Sequence, residues 1–142
     1  MQKVVITGSC SLGQEVSKWK ASFEKHGYEV IAYPSPDDTG YNYPDNFRKL
    51  YTDFYAAIPK ADIYFVMNED KKGVEGYIGG GAGPELGFMI GQKIIHGQQV
   101  DIYVLKNPSD SVPLRDEVKI WKDCGWLKIW EEEPLFIWLA QN

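Results

Sequence analysis

The run ADIYFVMN, Ala61 to Asn68, places the tightest constraint on what this chain can become. It is apolar at consecutive positions between polar ends. A strand with one solvated face alternates, so an unbroken apolar run is the mark of a strand buried on both faces inside a helix-covered parallel sheet. Three further strand-like segments flank it: KVVIT (Lys3 to Thr7), EVIAY (Glu29 to Tyr33) and DIYVLK (Asp101 to Lys106). Between them apolar residues recur at helical spacing. Val16, Trp19 and Phe23 run to Gly27, and Phe47, Leu50, Phe54 and Ile58 end at Pro59. Leu86, Met89, Ile90 and Ile94 run to Gly97, and Val112 to Asp123 stops at Gly125. Either WLKIW (Trp126 to Trp130) or LFIWLA (Leu135 to Ala140) supplies a last strand or a closing helix.

Strands alternating with helices imply right-handed crossovers. The expectation is an α/β, three-layer sandwich around a central, mostly parallel sheet of about five strands, flavodoxin-like or Rossmann-like, with residues 1–142 as one domain. Ligands of such sheets sit outside the carboxyl ends of the strands, where TGSCSLG, PSPDDTGYNYP and NEDKKGVEGYIGGGAG would gather.

Charge and composition remove several function classes. A net charge of −5 argues against a nucleic-acid polymer as partner, because that binding rests on Lys and Arg neutralising phosphates. No apolar run approaches the roughly 18 residues of a membrane span, so no membrane is expected. Met1 leads straight into KVVIT with no cleavage site, which makes a reducing cytoplasm the expected compartment. Cys10 and Cys124 make no disulfide framework, and Cys10 reads as a small packed residue. His26 and His96 lack neighbours at ligand spacing, so no metal is expected. GSCSLG lacks the Lys-Ser/Thr of a P-loop and no stretch satisfies G-x-G-x-x-G, so no cofactor is expected either.

Two loops retain chemical interest. GSCSLG offers backbone N–H groups and the Ser9 and Ser11 hydroxyls at a helix start, either as a seat for a phosphate or sugar hydroxyl or as a plain turn with a serine cap. In GYIGGGAGPELGFMIGQ, five glycines lie between Gly76 and Gly83. They strip side chains from around Glu85, which follows Pro84 in the first turn of a helix. Unpaired N–H groups and the macrodipole there are expected to keep this carboxylate ionised.

That strand, glycine-rich loop and GAGPELGFMIGQ helix resemble the signature of the nucleoside 2-deoxyribosyltransferase family, which includes related 2′-deoxynucleoside 5′-monophosphate N-hydrolases. VVITGS is similar to that family's first strand and loop, and YTDFYAAIPKADIYFVMN to its aspartate-bearing helix and third strand. The resemblance implies Glu85 as nucleophile, Asp53 as a second catalytic carboxylate, and Ser9 at the sugar pocket. Gly8, Gly79, Gly81, Gly83 and Tyr77 would complete the substrate-binding set. The family's acidic residue ahead of the last glycines has no counterpart here, where Gly79 and Gly80 stand.

The implied reaction breaks the N-glycosidic bond of a deoxynucleoside through a glutamyl-deoxyribose ester, which a second base or water resolves. Asp53, Asp70, Glu69 and Glu75 are candidates to protonate the departing base, and Tyr77, Tyr41 or Tyr43 to pack against it. Rival readings are an N-glycoside hydrolase acting on nucleosides or their monophosphates and a non-catalytic nucleotide sensor. A phosphoribohydrolase ranks last, since its arginine-bearing signature is absent. Four of the five tryptophans, Trp121, Trp126, Trp130 and Trp138, fall in the C-terminal third. Most read as core, and a surplus there, with the family's habit of completing its pocket from a neighbouring subunit, implies a homo-oligomer.

Overall fold

The computed structural model describes residues 1–35 and 42–133. Five strands form one sheet: β1 (Lys3–Thr7), β2 (Glu29–Ala32), β3 (Ile63–Val66), β4 (Asp101–Val104) and β5 (Lys128–Ile129). The spatial order is β2-β1-β3-β4-β5 and every neighbouring pair is parallel. The helices are α1 (Gly13–Lys25), α2 (Asp45–Ala57), α3 (Ala82–His96) and α4 (Arg115–Asp123). This is the expected α/β architecture, with the sheet all parallel. WLKIW supplies β5, and LFIWLA lies outside the described residues.

The continuous apolar run explains the centre of the sheet. β3 pairs with β1 on one side and β4 on the other, and each of its residues is buried. Side chains of a strand alternate between faces. Val4, Ile6, Phe65, Met67 and Leu105 pack with Val16, Trp19 and Phe23 of α1 and with Trp130. Val5, Tyr64, Val66, Ile102 and Val104 pack on the other face with Leu86, Met89 and Ile90 of α3 and Val118 of α4.

Local chemistry sets the ends of the elements. α3 stops where Gly97 takes a left-handed conformation at φ 63°, which glycine adopts without the Cβ penalty. Pro59 ends α2 as expected, and the chain makes a 3₁₀ turn, Ile58–Lys60, before β3. α4 begins at Arg115, three residues later than periodicity from Val112 indicates, because Val112 caps a preceding turn by accepting from the Arg115 N–H at 3.0 Å. The expected serine cap of α1 does not form. Leu12 occupies the cap position without a side-chain bond, and the Ser9 and Ser11 hydroxyls lie 2.8 Å from each other instead.

The chain reverses its direction of winding between β1 and β3: β1 leads outward to β2, and the following strands build on the opposite edge. In open parallel sheets the crevice at such a reversal is where ligands bind. β1 ends at Thr7, and the loop after β3 leads to Glu85 on α3.

Candidate active site

A cavity of about 270 Å³ opens at that crevice. Thr7, Gly8, Cys10, Gly81 and Glu85 form its floor and one side, while Phe47, Leu50, Tyr51 and Phe54 of α2 and Tyr33, Pro34 and Ser35 after β2 form the rest. Its character is one polar end and one aromatic wall, the usual division of labour in a small-molecule pocket.

Glu85 is the only carboxylate among the described residues lining this cavity. The Thr7 hydroxyl, itself wholly buried at the end of β1, donates to Glu85 Oε1 at 3.1 Å. The side chain takes part in no ion pair among the described residues. Burial raises its pKa to about 7, and the Thr7 hydrogen bond opposes that rise only in part. This corrects the expectation of a carboxylate kept ionised by the helix terminus. Removal from water beneath the α2 wall outweighs a dipole effect that is worth about 0.3–1 kcal/mol at an exposed terminus.

Two phenols face the same carboxylate. Tyr55 on α2 and Tyr64 on β3 both hold their protons above the ordinary tyrosine range, by burial first and by the Glu85 charge second. Tyr55 also packs at a tilt against Phe88 of α3, with centroids 5.3 Å apart, which ties the cavity wall to the helix bearing Glu85.

The glycines divide into two groups. Gly8 and Gly81 line the cavity. A Cβ on Gly8 would lie 3.0 Å from the Met67 carbonyl oxygen, so the absent side chain lets the loop after β1 rest closely on the end of β3. Gly83 faces away: a Cβ there would meet Leu114 Cδ1 at 2.7 Å, and its role is close packing of α3. At Gly79 a Cβ would lie 3.1 Å from the Tyr77 ring. Neither Gly79, Gly83 nor Tyr77 lines the cavity.

Ser9 and Tyr77 meet at the neighbouring rim through Lys71. Its ammonium donates to Ser9 Oγ at 2.9 Å and stands 5.0 Å over the Tyr77 ring. No carboxylate pairs with Lys71 among the described residues. Cys10, between the two serines, is exposed and lines the cavity, so it is not the packed residue its size suggested.

The structure does not bring Asp53 to the cavity. It points outward from α2, its side chain 64 % exposed, and accepts from Lys49 one turn earlier at 2.6 Å. Asp70 clamps its own loop, accepting from the Gly76 N–H at 3.0 Å and from Lys106 at 3.2 Å, bonds that lower its pKa. Neither it nor Glu69 nor Glu75 lines the cavity. Tyr43 is 72 % exposed in a shallow depression beside α2, and Tyr41 lies outside the described residues. Trp130 is wholly buried, Trp121 and Trp126 pack against the core, and Trp138 lies outside the described residues.

The aromatic wall itself went unread in the sequence. Phe47, Leu50 and Phe54 carry a helical apolar stripe, yet α2 has no fully buried residue, and all three line the cavity, Phe54 while also packing against the core. A hint was available in Tyr51 and Tyr55, which extend the apolar face beyond what a narrow core stripe needs. Among the described residues no group of three or more His, Cys, Asp or Glu side chains is placed to hold a metal ion, and no helix is long and apolar enough to cross a membrane.

No protein-family model matches the chain, and no curated protein matches it either.

Proposed function

We propose that the protein is a nucleoside 2-deoxyribosyltransferase-like enzyme that cleaves the N-glycosidic bond of 2′-deoxynucleosides at Glu85 and passes the sugar to another base. The observation that carries this reading is the position of Glu85. Among the described residues it stands as a single, unpaired carboxylate at the β1/β3 crevice, held by Thr7 and faced by an aromatic wall. The sugar would sit over Glu85 and the flat base against Phe47, Tyr51 and Phe54.

In the first step a Glu85 oxygen bonds to the anomeric carbon while the carbon–nitrogen bond breaks. The electron pair leaves on the base nitrogen, which takes a proton from solvent at the open mouth. The ionised carboxylate stabilises positive charge developing on the sugar before the new bond is complete. In the second step a nitrogen of another base attacks the same carbon, loses its proton to solvent, and releases the Glu85 carboxylate. No resident cofactor or metal enters the scheme.

A second reading, an N-hydrolase of 2′-deoxynucleoside 5′-monophosphates, is favoured by Lys71. A cation without a carboxylate partner among the described residues, bonded to Ser9 next to Gly8 and Cys10 of the cavity, is suited to a phosphate. Water then takes the place of the accepting base. A sensor that binds without turnover retains the same pocket.

Incubating the protein with deoxyinosine and adenine separates these readings. Deoxyadenosine marks transfer, free deoxyribose marks hydrolysis, and deoxyribose 5-phosphate from the monophosphate alone marks the phosphate-dependent hydrolase. Intact-mass analysis with a slow substrate should find a sugar adduct that Glu85→Gln abolishes; absence of glycosidic cleavage across a nucleoside and nucleotide panel sinks the catalytic reading.

The same proposal includes a homo-oligomer in a reducing cytoplasm. Tyr43, Phe47, Tyr51, Tyr55 and Phe88 form a ring ladder with centroid steps of 5.3–6.4 Å, and Tyr43, Tyr51 and Phe88 are exposed along it. Burying that face against a second copy would also close the aromatic side of the pocket.

A further inference from the structure

Asn68 stands just past the end of β3, and its polar side chain is fully buried, as only that of Thr7 is besides it among the described residues. A buried amide is kept in place by its partners, and here they come from two segments. Oδ1 accepts from the Lys106 N–H at 3.2 Å and Nδ2 donates to the Lys106 carbonyl at 2.8 Å, so the side chain continues the pairing of β3 with β4 after both strands have ended. Nδ2 also donates to the Gly76 carbonyl at 3.2 Å.

Gly76 is held from its other side as well. Its N–H donates to Asp70 Oδ1 at 3.0 Å, and Lys106 Nζ reaches the same oxygen at 3.2 Å. Asn68, Gly76, Asp70 and Lys106 thus close a ring of hydrogen bonds at the base of the loop after β3. Above the ring, Lys71 and Val74 exchange backbone bonds of 3.1 and 2.9 Å around Lys72 and Gly73, whose φ values of 53° and 75° suit a tight two-residue hairpin turn. Lys71 stands between the two closures, one residue after Asp70 and at the foot of the hairpin. From there its ammonium reaches Ser9 and lies over the Tyr77 ring. Asp70, its neighbour in sequence, pairs with Lys106 instead.

The geometry points to Asn68 as a positioning residue for Lys71: by closing the ring it fixes the base of the hairpin and aims the Lys71 ammonium at the Ser9 rim of the cavity, ready for an anionic group of the substrate. Asn68 touches no substrate and acts through the loop alone. A lysine carries its charge on a flexible stem, so ordering it before the ligand arrives removes part of the cost of binding. The consequence for substrate rests on the reading of Lys71 as a phosphate seat; the placement of Lys71 does not.

The test follows the lysine Cε resonances by carbon-13 NMR, with that of Lys71 assigned by its loss in Lys71→Met. The Tyr77 ring should displace this resonance in the native chain, and Tyr77→Leu should remove the displacement. Asn68→Ser should move it most of the way to the Tyr77→Leu position. Inorganic phosphate titrated against the same resonance should bind Asn68→Ser about fivefold more weakly, and the ratio of KM for a 5′-monophosphate to KM for the free deoxynucleoside should rise by about the same factor. Asp70→Ser opens the ring from its exposed side and keeps the test decisive if Asn68→Ser does not fold. Loss of a carboxylate beside a phosphate seat tightens phosphate on charge alone, whereas loss of positioning should weaken it about threefold. A Lys71 resonance unmoved by either variant overturns the inference, and so does tighter phosphate binding by Asp70→Ser. Equal rises in both KM values alongside a lower melting temperature would make Asn68 a residue of the fold only, and overturn it too. If Lys71→Met leaves phosphate binding unchanged, the phosphate seat fails, while the resonance still decides whether Asn68 places Lys71.

Discussion

Glu85→Gln is expected to stabilise the protein at alkaline pH while abolishing its chemistry, and the size of the effect follows from the site. The folded pKa is about 7 against an ordinary 4.5. For an acid whose folded pKa is raised, the neutral form is favoured in the native state. Below the unfolded value both states are protonated and nothing is lost. As pH rises from about 4.5 through 7 the native state gives up stability, and above 7 the loss is complete. A shift of that size corresponds to about 3 kcal/mol at full burial. Glu85 is partly open to solvent through the cavity, so screening brings the expectation down to about 1–2 kcal/mol. Gln keeps the shape and an oxygen that can accept from Thr7, but carries no charge.

Urea or thermal unfolding at pH 8 should therefore show Glu85→Gln more stable than the native chain by about 1–2 kcal/mol, or roughly 4–8 °C. Near pH 4.5 the two should melt within about 1 °C of each other, because the native carboxyl is then neutral. Equal gains at both pH values would trace the effect to shape rather than charge. A loss of stability at pH 8 would refute the reasoning outright, since it would mean that the carboxylate is held by partners strong enough to outweigh its burial.

Four further outcomes follow from the same geometry. Gly76→Ala should cost about 2–4 kcal/mol in chemical denaturation, because the residue has φ 65° and its Cβ would lie 2.8 Å from the Asn107 oxygen and from Pro108 Cα. Asp53→Asn should leave the melting temperature and turnover nearly unchanged, since the Lys49 pair is exposed on one helix face; a hundredfold loss of kcat would place Asp53 in the chemistry after all. Lys71→Met should raise KM for a 5′-monophosphate about tenfold and leave the free nucleoside within twofold, a split that steady-state kinetics reads directly. Phe88→Glu should lower the mass found by sedimentation if the exposed ladder joins two copies, and an unchanged mass would remove that face from the assembly.

The framework was legible because two periods dominate it. ADIYFVMN has the burial of a central strand, and the helices start and stop near their glycines and prolines. Glu85 was legible because glycines clear its surroundings. Its electrostatic state was not, since the depth of burial depends on α2, a helix distant in sequence. For the same reason the stripe of Phe47, Leu50 and Phe54 did not disclose the cavity: a stripe shows which face is apolar and leaves open whether protein or an empty cavity lies opposite, and Phe54 meets both. Asp53 misled because a motif fixes neighbours along the chain but not helical phase. One step beyond Asp53, Phe54 faces the cavity, while Asp53 faces solvent with Lys49.

An anionic nucleophile against a cationic transition state is served badly by a permanent cation. An ion pair would keep Glu85 charged and also satisfied, and part of that attraction would have to be given up as charge develops on the sugar. Here the carboxylate has one neutral donor among the described residues, Thr7, and a raised proton affinity. Its ionised form is thus under-solvated in the resting site, and the positive charge that appears in the proposed reaction is the partner it lacks. The arrangement links the two pH dependences. Turnover should rise as pH increases through about 7, over the range where the last of the native stability is lost, because both report the same proton leaving Glu85. A kcat/KM profile whose acid limb lies near 4.5, with the stability of the native chain still falling up to 7, would separate the two protons and require a different nucleophile.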